Sequence, residues 1–146
     1  MHEKPLILVA EDSKADMFLI REALATAQVE ANLHVVTDGN AATEFIDATD
    51  ADETTPCPTL VLLDMNLPKR SGNEVLRHLR SSQRCREAQV IVVSSSNAPR
   101  DRAVVADMNL AGYFKKPNDY AEFMTLGPLV KSLLDTPKTP EPIVTD

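Results

Sequence analysis

Glu11, Asp12, Asp64, Ser94 and Lys116 are the residues of this sequence whose types and placement can do chemistry. They stand at the ends of four predicted strands: Leu6–Ala10, Leu60–Leu63, Val90–Val93 and Gly112–Lys115. Three carboxylates drawn within a few ångströms repel strongly unless protons or a cation intervene. A hard divalent cation with oxygen ligands, Mg²⁺ in a cell, is the natural compensation, with a backbone carbonyl of the neighbouring loop and waters completing an octahedron. Lys116 adds a fixed positive charge and Ser94 a neutral hydrogen-bond donor. This set suits a phosphoryl group, whose transfer needs positioning and charge neutralisation above all. It also supplies a nucleophile, because an Asp carboxylate can attack phosphorus to give an acyl phosphate. The plainer alternative makes Asp64 a helix cap and Lys116 a solvated side chain; agreement among separate strand ends weighs against it.

Positioning these groups requires a sheet with its strand ends at one edge. The four-residue run Leu60–Leu63 reads as a strand buried on both faces, as in a parallel sheet, and Pro68 and Gly72 enforce a loop after Asp64. Ser13 with Asp16 three residues on signals a helix start, and the helix reaches about Gln28 with Ala15, Phe18, Leu19 and Ala23 able to face a core. Leu33, Val35 and Val36 mark a second strand, and Ala41, Ala42, Phe45 and Ile46 a second helix. Residues 48–58 read as an acidic, proline-marked surface loop. A third helix spans about Asn73 to Ser82 with Val75, Leu76 and Leu79 inward. A short helix follows Pro99, with Val104, Val105 and Met108 on its apolar side. A last helix starts near Asp119 and uses Phe123, Leu126, Val130, Leu133 and Leu134; Gly127-Pro128 predicts a kink or two shorter segments. Five alternating strand–helix units predict an α/β fold: a five-stranded parallel sheet with helices on both faces, in flavodoxin-like order 2-1-3-4-5.

A chain of 146 residues suits one domain, residues 1–135, followed by a proline-rich tail over 136–146. The net charge of −7 disfavours nucleic acid and anionic membranes as partners. No apolar run is long enough to cross a membrane. Cys57 and Cys85 form no ligand cluster, and Cys85 reads, like Met108, as a packing or surface residue. Two thiols without a signal peptide predict a reducing, cytoplasmic location. His2, His34 and His78 form no metal set, and His78 reads as an exposed helix residue.

Glu11-Asp12, Asp64, Ser94 and Lys116-Pro117, in this order and with intervals of 30 positions from Asp64 to Ser94 and 22 from Ser94 to Lys116, resemble a response-regulator receiver domain of two-component signalling. The resemblance covers about Pro5 to Leu134. It implies that Asp64 accepts a phosphoryl group from a histidine kinase. Glu11, Asp12, Asp64 and the backbone carbonyl of Asn66 would bind Mg²⁺. Ser94 would hydrogen-bond the phosphoryl group and Lys116 would ion-pair with it. Tyr113 matches the family's switch aromatic, and the Lys116-Pro117 bond is expected to be cis. Serine stands at 94 where threonine is commoner, and the loop over 48–58 is longer than in the smallest receivers. The segments 11–16 and 64–72 most resemble single-domain regulators paired with bacterial phytochromes, which would make the kinase partner a light sensor.

Two other function classes compete. An aspartyl-nucleophile phosphatase needs a second acid two residues after the nucleophile, and that position is Asn66. A pseudo-receiver, a binding module that is never phosphorylated, usually lacks the acceptor, the acidic pair or the lysine, all of which are present here. A nucleotide site is poorer still, since no glycine-rich loop follows the first strand. About twelve residues follow the receiver-like region, too few for a DNA-binding domain. Output is therefore expected through a protein target. A homodimer is also expected, through the face made by the helix after Pro99, the fifth strand and the last helix.

Overall fold

The computed structural model describes residues 4–95 and 109–135. The elements run β1 (Leu6–Ala10), α1 (Lys14–Thr26), β2 (Asn32–Val36), α2 (Gly39–Ala51), β3 (Leu60–Leu63), α3 (Gly72–Arg80), β4 (Gln89–Ser94), β5 (Gly112–Lys115), α4 (Tyr120–Phe123) and α5 (Leu126–Asp135). All strand pairings are parallel, in the order β2-β1-β3-β4-β5. The helix expected after Pro99 and the tail over 136–146 lie outside the described residues.

Alternation along the strands explains why the apolar runs are continuous. Leu8, Ala10, Val61, Leu63, Val90 and Val92 point to one face, where they meet Ala42 and Ile46 of α2 and Val75, Leu76 and Leu79 of α3. Ile7, Val9, Leu60, Leu62, Ile91 and Val93 point to the other, against Ile20, Ala23 and Leu24 of α1, Phe123 of α4, and Leu126 and Val130 of α5. With both faces covered, the three central strands are apolar along most of their length. Helix starts are written locally as well. Ser13, Asp38, Ser71 and Asp119 each accept a hydrogen bond from the third residue of their helix, and Ser71 with Glu74 completes a capping box.

Several sequence expectations need correction. In α1 the buried stripe is Ile20, Ala23 and Leu24, while Phe18 is 60% exposed and Ala15 is exposed. Four consecutive apolar residues, Met17 to Ile20, leave the phase of the helix ambiguous in sequence. α1 stops at Thr26 because Gln28 adopts φ 59°, and the Val29 N–H turns back to the Leu24 carbonyl. The last helix is two segments, as anticipated, yet the break falls at Met124-Thr125. Pro128 sits in the first turn of α5, where its missing N–H costs nothing, and Gly127 N–H caps the Met124 carbonyl at 3.1 Å. Gly127 is required there, since a Cβ would lie 2.2 Å from the Ala23 carbonyl oxygen of α1.

The region 48–58 differs most. Its first residues finish α2, and Thr49 is fully buried. The remainder is an exposed loop held by its backbone. The Arg84 guanidinium donates to the carbonyls of Thr49, Asp52 and Thr55, while Asp50 accepts from Ser82 Oγ at 2.8 Å and Arg84 N at 3.0 Å. Cys57 and Cys85 form a disulfide with Cα atoms 5.5 Å apart, so Cys85 is not an independent packing residue and neither cysteine is a free thiol. The thiol count therefore lends no support to a reducing compartment. Spacing alone cannot reveal this pair, because 28 residues separate them and the fold alone brings them together. Among the described residues no helix is long and apolar enough to cross a membrane.

Candidate functional site

Glu11, Asp64 and Lys116 are each the first residue to leave a strand, and each is tied back to the neighbouring strand. Glu11 N–H donates to the Val36 carbonyl of β2 (3.0 Å), Asp64 N–H to Ala10 of β1 (3.1 Å), and Lys116 N–H to Ser94 of β4 (2.8 Å). The ladder thus fixes the Cα positions, and the side chains converge at the carboxyl edge of the sheet. Oxygen atoms of Glu11, Asp12 and Asp64 all lie within 4.8 Å of one another. Glu11 (2% exposed) and Asp64 (5%) are buried, and Asp12 is exposed. Burial of two carboxylates here is costly unless charge compensates.

Lys116 supplies part of that compensation. Its Nζ lies 2.7 Å from Asp16 Oδ2, 2.9 Å from Glu11 Oε1 and 3.0 Å from Asp64 Oδ2. Burial works to lower the lysine's pKa, but these carboxylates outweigh it and hold the ammonium above its ordinary range. Burial pushes the Glu11 carboxyl up to about 7, helped by the charge on Asp64 and opposed by Lys116 and by the Ser13 N–H, which donates to Glu11 Oε2 at 3.1 Å. Although Oε1 sits in ion-pair range of Lys116, it is buried and accepts no well-directed hydrogen bond. One ammonium does not satisfy this pocket, and a second cation beside Oε1 would. The trio, the orphaned oxygen and the all-oxygen donor set fit a hard divalent ion.

The acceptor carboxylate is aimed by its loop. Asn66 N–H donates to Asp64 Oδ1 at 3.0 Å, leaving Oδ2 toward Lys116. Gly72 closes the loop with its N–H on the Met65 carbonyl (3.0 Å), and a Cβ there would meet the Asp64 carbonyl oxygen at 2.5 Å. Lys69 turns the chain with φ 73°. Ser94 is fully buried at the end of β4, next to Lys115 in register, and Tyr113 is half-buried against the core face of α2 and α3. Every residue singled out from sequence therefore reaches this edge or the strands that form it. Asp16 was missed as a site residue; its signal was an acid at the third position of a helix that begins on this rim. All described peptide bonds are trans, including Lys116-Pro117, so the expected cis bond is absent and the tertiary amide keeps its intrinsic trans preference.

The family model described as response regulator receiver domain matches residues 7–126. The chain belongs to the response-regulator receiver family. This receiver is 32% identical to Response regulator Rcp1 of Synechocystis sp. over 121 residues, 83% of this chain and 82% of Rcp1. Its structure superposes on the phosphorylated cyanobacterial phytochrome response regulator RcpA with a TM-score of 0.83 at 30% identity, covering 95% of this chain and 100% of RcpA. The Mn²⁺-bound form of Rcp1 gives 0.81 at 31% identity, with 95% and 100% covered. The receiver is thus a response regulator similar to phytochrome response regulators, with the flavodoxin-like fold expected from its strand pattern.

Proposed function

We propose that the receiver accepts a phosphoryl group on Asp64 from the phosphohistidine of a histidine kinase, with Mg²⁺ in the acidic pocket. The observation that carries this reading is the convergence of Glu11, Asp12 and Asp64 oxygens within 4.8 Å, with the Lys116 ammonium 3.0 Å from Asp64. An Asp64 oxygen forms the new O–P bond as the histidine N–P bond breaks, and the imidazole leaves with a proton from solvent. Glu11, Asp12, Asp64 and the Asn66 carbonyl would hold the ion, which when bound neutralises charge on the phosphoryl oxygens. Lys116 ion-pairs with the phosphoryl group, Ser94 hydrogen-bonds it, and Tyr113 follows Ser94 inward as the switch. The chain's own chemistry is confined to taking and losing this phosphoryl group.

Residues 1–135 form the receiver and 136–146 a tail in this reading. The kinase is a bacterial phytochrome, by similarity to Rcp1 and RcpA, and the pair acts in the cytoplasm. Output passes to a protein target and through a homodimer built on the edge strand β5, α5 and the segment after Pro99. Acetyl phosphate with Mg²⁺ should add one phosphoryl mass to the protein, and Asp64→Asn should abolish it. A wild type left unmodified by both small donors and a cognate kinase would make the chain a pseudo-receiver. For the dimer, light scattering that finds only monomer at high concentration, with and without a phosphoryl mimic, removes that part.

A further inference from the structure

The proposed reaction leaves one carboxylate on Lys116 without a task. Glu11 and Asp64 belong to the trio able to gather around a cation, whereas Asp16 does not. Yet Asp16 makes the shortest of the three contacts to Nζ, 2.7 Å against 2.9 and 3.0 Å. A divalent ion and the ammonium compete for Glu11 Oε1 and Asp64 Oδ2, and two positive charges at such range repel. Lys116 must therefore keep a counter-ion that the metal does not claim.

Asp16 meets that need from an independent element. It is the third residue of α1, its N–H is held by the Ser13 cap at 3.1 Å, and its side chain is 29% exposed. An acid at this position commonly turns back to the cap; here it reaches across to β5's end. We propose that Asp16 is a positioning residue that keeps Lys116 beside the acceptor while Glu11 and Asp64 turn to a divalent cation. This rests on the reading of the pocket as a metal-assisted phosphoryl acceptor. Without Asp16, the carboxylates left beside the lysine among the described residues are the metal's own ligands, so metal uptake must break those pairs or expel the lysine.

Calorimetric titration with Mn²⁺ tests this on four full-length proteins: wild type, Asp16→Asn, Lys116→Met, and the double variant. Thermal melts establish that each is folded, and Lys116→Met keeps the buried stem. The expected result is a loss of about fivefold or more in Mn²⁺ affinity for Asp16→Asn when Lys116 is present, and under about twofold when it is absent. Asp16→Glu should recover most of the loss. An equal loss in both backgrounds makes Asp16 a mere nearby charge, and no loss in either gives it no part; both overturn the proposal. Wild type that binds no Mn²⁺ overturns the acceptor reading as well, whereas normal wild-type binding with an unmoved Asp16→Asn sinks Asp16 alone.

Discussion

At the scale of residues, the pocket is a contest between one ammonium, protons and a metal for two buried carboxylates. In the metal-free protein Glu11 titrates at about 7, raised chiefly by burial. A metal ligand must be ionised, so metal uptake expels the proton that Glu11 carries below that pH. Mg²⁺ affinity should therefore fall as pH drops through 7, approaching about tenfold per unit at lower pH, and hold level above 8. Titrations at pH 6, 7 and 8 check this; an affinity independent of pH contradicts it. Lys116 contributes differently. Lys116→Ala removes the only described cation contacting Glu11, Asp16 and Asp64 together, so metal binding should survive. The response to phosphorylation should be lost, read as hydrogen exchange in β5 with and without a phosphoryl mimic. Normal switching in that variant would remove Lys116 from the mechanism.

At the scale of elements, short strands and capped helices made much of the fold readable from sequence. Leu60–Leu63, buried on both faces, announced a central parallel strand, and the spacing of Val75, Leu76 and Leu79 placed α3 to within a residue or two. What stayed hidden depends on tertiary distance or on helix phase. Phe18 looked like core because apolar residues crowd that turn, and only packing against β1 and β3 selects Ile20, Ala23 and Leu24. Thr49 looked like loop, yet it lies in the last turn of α2, in a buried contact with Cys85 at 3.0 Å. The candidate site was more legible than the helices, because Glu11 and Asp64 each follow an apolar run directly and Lys116 follows the short run that starts at Gly112. Asp16 escaped because its cap role already accounted for it. The Cys57–Cys85 link also belongs here. It closes a ring that contains β3, Asp64 and α3, with its ends 28 positions apart in sequence. Chain-entropy arguments make such a ring worth about 3–4 kcal/mol. Reduction, or Cys57→Ser with Cys85→Ser, should lower the unfolding free energy by about that amount in denaturant melts. Identical melts with and without a dithiol reductant would show that the link does not hold in solution.

At the scale of the whole molecule, the sheet separates two jobs. Its carboxyl edge gathers the charged groups, and its opposite edge carries the disulfide and the Arg84 clamp that fix the entry to β3. The acceptor loop is thus anchored at both ends of one strand, which holds Asp64 still while leaving its carboxylate facing the rim. The central claim is that this carboxylate, among all acids of a chain with net charge −7, is the one that takes the phosphoryl group. Borohydride reduction of protein treated with acetyl phosphate and Mg²⁺ converts an acyl-phosphorylated aspartate to homoserine, which peptide mass spectrometry locates. Homoserine is expected at position 64 and nowhere else, dependent on Mg²⁺. Homoserine at Asp12 or Asp16, or none at all after treatment by an active cognate kinase, would contradict it.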